Sequence, residues 1–99
     1  VNAVVALDEE RARDAARAAE GAVMAGARLG PLHGLPVGIK DLEETGGLRT
    51  TFGSPIFADH VPAQDEAMVA QLRAQGAVVL GKTNVPEFGA GANTRNVVY

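Results

Sequence analysis

Apolar and polar positions along the chain fall into blocks of different period, and each block predicts an element. Val4, Val5, Ala6 and Leu7 form a short apolar run halted by Asp8, which reads as a strand running into a helix start. Asp8 is a good N-cap, and Glu9 and Glu10 place negative charge where the helix dipole favours it. From there to about Ala25 the small apolar residues Ala12, Ala15, Ala16, Ala19 and Val23 recur at three and four, predicting an amphipathic covering helix. Its other face carries Arg11, Arg13 and Arg17 interleaved with Glu9, Glu10, Asp14 and Glu20, so it reads as a solvated face and not as an anion site. Gly26 and Gly30 end the helix in a linker from Ala25 to Pro31.

The next apolar run, Leu35 to Ile39, is too short for a helix and is punctuated by Pro36 and Gly38, so it predicts a buried strand. It stops abruptly at Lys40-Asp41. Residues Asp41 to Gln64 show no sustained period and read as a long ordered loop beside a site, because the loop starts directly after Lys40. A second helix is expected from Asp65 as N-cap, with Met68, Val69 and Leu72 on one face and Gly76 just past its end. Ala77 to Leu80 then predicts another strand, Pro86 to Phe88 a helical turn, and the remainder a loop rich in Gly, Ala and Asn. Strand, loop, helix and strand make one crossover unit, so the two strands should be parallel. The fold class expected is α/β, a mixed and largely parallel sheet flanked by helices. These residues hold only part of a sheet, so the flank of Val78 and Val79 is expected to be an unpaired apolar edge.

Chemistry enters through the two lysines at strand ends. A lysine closing a buried strand keeps its stem in apolar surroundings, and desolvation favours the neutral amine that acid–base chemistry requires. Lys40 follows the longer buried run. Lys82 lies in Gly76-Ala-Val-Val-Leu-Gly81-Lys82-Thr83, which satisfies the G-x-x-x-x-G-K-[ST] expression of a phosphate-binding loop. The context is wrong for that use: a helix precedes Gly76, the residues between the glycines are themselves a strand, and Asn84-Val85-Pro86 starts no long helix. Nucleotide binding is therefore not expected. Lys82 is expected to hydrogen-bond neighbouring loops and to take no part in chemistry.

The two histidines, His33 and His60, sit beside turn residues with no ligand spacing and read as structural. A net charge of −3 with scattered basic residues argues against a nucleic-acid surface. The absence of cysteine removes disulfides and thiolate metal sites and fits a reducing compartment; a cytoplasmic location is the default. No apolar run approaches membrane-spanning length. The chain opens on Val1 without an initiator methionine and closes on the apolar Val97-Val98-Tyr99, so both ends are expected to pack against further chain.

Gly30-Pro-Leu-His-Gly-Leu-Pro-Val-Gly-Ile-Lys40-Asp41 resembles the segment that carries the catalytic lysine in the amidase signature family. The likeness continues through Thr50-Thr51-Phe52-Gly53-Ser54, Val61-Pro62-Ala63-Gln64-Asp65, Gly76 to Asn84, Glu87-Phe88 and Asn93-Thr94-Arg95-Asn96. It implies an amide hydrolase acting through an acyl-enzyme on a small-molecule amide, without a cofactor. Its serine–serine–lysine triad would have Lys40 as general base, working through a bridging serine on a nucleophilic one. Ser54 is the only serine in the chain and matches neither position. Residues 1–99 are thus expected to be the N-terminal part of an amidase domain, with both serines beyond Tyr99. The resemblance further implies that the loop from Glu87 to Asn96 lines the acyl pocket, with Gly89, Ala90, Gly91 and Asn93 as substrate-binding residues. Alone, the chain is expected to be inactive and to associate with itself or with the rest of an amidase chain. The rival expectation is a non-catalytic structural or interaction fragment.

Overall fold

A computed structural model describes residues 2–99. Three strands, β1 (Val4–Leu7), β2 (Pro36–Lys40) and β3 (Val78–Thr83), form one sheet in the order β1-β3-β2. β2 and β3 are parallel, as the crossover requires, and β1 runs antiparallel to β3, so the sheet is mixed. The helices are α1 (Glu9–Met24) and α2 (Ala67–Ala74), with single 3-10 turns at Pro55–Phe57 and Glu87–Gly89.

α1 forms where its caps and spacing place it. The Asp8 carboxylate accepts from Arg11 N at 3.0 Å, and Arg13–Glu9 and Arg17–Asp14 pair along the exposed face. Arg11 departs from that face: it donates to Gly46 O at 3.0 Å and ties the helix to the loop after β2. α2 begins one residue later than expected. Glu66, not Asp65, is its N-cap and accepts from Val69 N at 3.2 Å. The Asp65 carboxylate is taken instead by Gly46 N at 2.7 Å and by Arg73 at 2.9 Å.

β3 corrects the sequence reading more substantially. It runs on past Leu80 through Gly81, Lys82 and Thr83 and is the central strand, but β1 pairs only with Gly81 to Thr83, which leaves the β1-side flank of Val78 and Val79 without a strand partner among the described residues. Two register shifts accommodate the extension, one at Val37/Gly38 against β2 and one at Val4/Ala6 against β1. Gly81 makes the second pairing possible. A Cβ there would overlap the carbonyl oxygen of Ala6 and stand 3.1 Å from Leu7 Cα.

Ile39 and Val79 supply the sheet's share of the core, closed over by Val69 of α2 and by Leu48 of the loop, with Ala6, Val37 and Leu72 at its border. That a loop residue enters the core explains why the stretch after β2 is ordered. It is pinned by Gly47 N to Pro62 O at 2.8 Å, Thr50 N to His60 O at 2.9 Å and Glu66 N to Glu44 O at 2.9 Å. Among the described residues no helix is long and apolar enough to cross a membrane.

Candidate functional site

β2 ends at Lys40, and side chains alternate across a strand, so the core placement of Ile39 turns its neighbour the other way. Lys40 is exposed in this chain. The burial expected of it is therefore not supplied by these residues, because Lys40 lies on the face of β2 turned away from the core that Ile39 enters. The buried lysine is Lys82, on the central strand opposite Ile39.

Lys40 lines an open cleft of about 230 Å³ with Leu42, Asn84, Gly89, Gly91, Asn93 and Thr94 among its neighbours. Three of the four residues expected to bind substrate thus meet the lysine in one cleft; the fourth, Ala90, is exposed and does not line it. The fold brings them together because β3 delivers Asn84 beside Lys40, and the turn at Glu87–Gly89 folds the following loop back over the strand ends. Phe88 adopts φ 50° in that turn, and its N–H donates to Phe52 O at 2.7 Å. Gly89, with φ 73°, packs so closely on Leu42 that a Cβ would come within 2.9 Å of Leu42 Cδ1.

Asn96 closes the loop. Its amide donates to Asn84 Oδ1 at 2.7 Å and to Val85 O at 2.8 Å, and its oxygen accepts from Val98 N and Tyr99 N, both at 3.0 Å. All four hydrogen-bonding positions of that side chain are used. Asn84 is held from the other side, donating through Nδ2 to Asn2 O at 3.0 Å and through its own N–H to Ala3 O at 2.9 Å.

On the core face of the sheet lies a buried polar cluster in which Lys82 hydrogen-bonds a neighbouring loop, as expected, through partners that the sequence did not reveal. Lys82 Nζ donates to Glu43 O, to Thr45 Oγ1 at 2.9 Å and to Thr50 Oγ1 at 3.0 Å. Burial lowers the Lys82 pKa to about 8, against the opposing pull of the Asp41, Glu43, Glu66 and Asp65 carboxylates. The Asp41 carboxylate, equally buried, accepts from Thr51 N at 3.0 Å and from Thr51 Oγ1. The sequence signal for those partners was the set of threonines, Thr45, Thr50 and Thr51, around a Gly-Gly turn. The P-loop match fails on the same geometry: Val78 to Thr83 is strand, and the Lys82 amine is spent on loop oxygens.

The remaining candidates are structural. His33 Nε2 lies 2.9 Å from Ala19 O, and His60 pairs with Glu44 at 3.0 Å and stacks on Phe52. Ser54 is fully buried at the start of the Pro55–Phe57 turn, and its Oγ has no hydrogen-bond partner among the described residues.

Comparison with known proteins places this geometry. The chain is 49% identical over 94 residues to a glutamyl-tRNA(Gln) amidotransferase subunit of Salinispora tropica, covering 95% of this chain and 19% of that protein. It is 45% identical over 100 residues to an acylamidase of Rhodococcus erythropolis, covering the whole chain and 21% of the relative. A solved, inhibitor-bound structure from a vestigial protein complex, described as revealing the evolutionary origins of an s-triazine catabolic enzyme, superposes with a TM-score of 0.92 at 38% identity. It covers all of this chain and 22% of that one. The chain thus spans about a fifth of the length of the relatives it matches. The family model described as Amidase matches residues 1–99, and the chain belongs to the amidase family.

Proposed function

We propose that the protein carrying this chain hydrolyses carboxamides through an acyl-enzyme, with Lys40 as its general base. The observation that carries the reading is the meeting of Lys40 with Gly89, Gly91 and Asn93 in one open cleft, in a chain of the amidase family. The lysine stands at the C-terminal end of a parallel strand, where its amine reaches the cleft while its backbone stays fixed in the sheet. Gly89 and Gly91 carry no side chain, so a planar amide can approach the loop backbone.

In this mechanism the neutral Lys40 amine accepts a proton from a bridging serine as that serine takes one from the nucleophilic serine. The nucleophile's oxygen bonds to the amide carbon, and the carbonyl electrons move onto oxygen. Return of the proton to the amide nitrogen lets the C–N bond break, releasing ammonia or an amine and leaving an ester. Water, deprotonated by the same relay, then displaces the serine and yields the carboxylate. Both serines are assigned outside residues 1–99, since the only serine here, Ser54, is buried and does not line the cleft. These residues alone should accordingly be inactive, the rest of the amidase domain being their partner.

A second reading follows from the likeness to an amidotransferase component. Cleavage of the amide would be the same, with the released nitrogen passed to an acceptor. The full-length protein, given a panel of simple carboxamides with hydroxylamine, should form hydroxamates in competition with hydrolysis, because hydroxylamine intercepts an acyl-enzyme. Absence of both acid and hydroxamate across the panel would overturn the hydrolase reading, and acid without any hydroxamate would count against the acyl-enzyme.

A further inference from the structure

A lysine buried on a central strand is costly, because its ammonium loses water on all sides. A leucine or methionine would fill the place of Lys82 without that cost. What the ammonium does that an apolar residue cannot is direct three donors at three separate points of one loop. The acceptors are prepared for it. Thr45 Oγ1 donates its own proton to Glu43 O at 3.0 Å and Thr50 Oγ1 donates to Leu48 O at 3.1 Å, so each hydroxyl turns a lone pair toward Nζ. Glu43 and Thr45 are on the limb leaving Lys40, and Thr50 is on the limb returning, so one ammonium holds the two limbs together.

The contacts continue to Lys40. Glu43, whose carbonyl Lys82 grips, donates its N–H to Lys40 O at 3.0 Å. Asp41 N donates to Thr83 O at 3.0 Å, and Phe52 N donates to Asp41 O at 2.9 Å, while the Asp41 carboxylate holds Thr51. Leu42, between these anchors, is the residue on which Gly89 packs. The backbone of Lys40 and the floor of the cleft are therefore both set by a loop whose limbs meet on Lys82.

We propose that Lys82 is a positioning residue for Lys40, acting through the segment 41–52 that it clamps. The proposal rests on the reading of Lys40 as general base. It assigns to Lys82 a part in turnover that the sequence alone denied it, without contact with substrate.

The test compares Lys82→Met, Thr50→Val and Lys40→Ala in the full-length protein. Each is assayed for kcat and KM on one carboxamide, with active sites titrated to completion by a fluorophosphonate. Misfolding lowers the number of titratable sites; misplacement lowers kcat per site. Lys82→Met should lower kcat per site by about 10- to 100-fold with KM changed less than about threefold. Thr50→Val, which removes one acceptor and keeps the shape, should lower it in the same sense by a smaller factor and carries the test if Lys82→Met does not fold. Wild-type kcat per site in the folded variants, with Lys40→Ala inactive, overturns the clamp and leaves the base in place. Near-normal turnover by Lys40→Ala overturns the base assignment and the clamp with it.

Discussion

Lys40→Ala in the full-length protein is expected to lower kcat for carboxamide hydrolysis by about 10²- to 10⁴-fold, the range set by loss of a general base. Without the amine, the nucleophilic serine stays a neutral hydroxyl whether or not substrate is bound, so the loss falls on kcat and not on KM alone. Lys40→Arg should fail as well, because guanidinium remains protonated and has no lone pair to accept the proton. Stability provides the control. Among the described residues Lys40 is exposed and lies outside the core, so both variants should keep the cooperative melting transition of the parent. Near-normal turnover by either variant would remove Lys40 from the mechanism.

Gly81→Ala should be the most damaging single methyl in the chain. The added Cβ meets backbone on the neighbouring strand, the Ala6 carbonyl, which cannot rotate aside as a side chain could. β1 must then shift or leave the sheet, at a cost of roughly 1–3 kcal/mol by analogy with overpacked cores. Loss of β1 would expose the Val79 side of β3, to which Ala6 contributes. Gly21→Ala is the matched comparison: it lies inside α1 with nothing within 4 Å of the new methyl, and should stabilise by about 0.5–1 kcal/mol through helix propensity. Thermal melts of the two variants beside the parent should therefore move in opposite directions. A Gly81→Ala variant melting at or above the parent would show that β1 is not held as described.

The contrast between those glycines bears on what the sequence could reveal. Local signals were strong for α1, where Asp8 and the alanine spacing act within the helix itself, and for the parallel pairing of β2 with β3, which follows from the crossover between them. The place of β1 was not legible. Its antiparallel insertion beside β3 depends on one glycine far along the chain, and glycine within Leu80-Gly81-Lys82 reads equally well as the end of a strand. Strand run-length suggested a desolvated Lys40, but among the described residues burial follows the face of the sheet: Lys82 lies opposite Ile39 on the core face, and Lys40, one residue on, turns to the other. The clustering of Thr45, Thr50 and Glu43 on Lys82 spans 32 to 39 residues of sequence separation and has no local period to betray it. By contrast, the meeting of Lys40 with Gly89, Gly91 and Asn93 was expected from resemblance, and the geometry supplies its cause in the parallel register that sets Thr83 opposite Lys40.

The central claim, that Lys40 serves a serine lying outside these residues, is most directly met by fluorophosphonate labelling of the full-length protein followed by mass spectrometry of its peptides. One labelled serine is expected outside Val1–Tyr99, modified rapidly in the parent and at least about 100-fold more slowly in Lys40→Ala, since the same base activates the serine for both reactions. Label on Ser54, or an equal labelling rate in the two proteins, would contradict it.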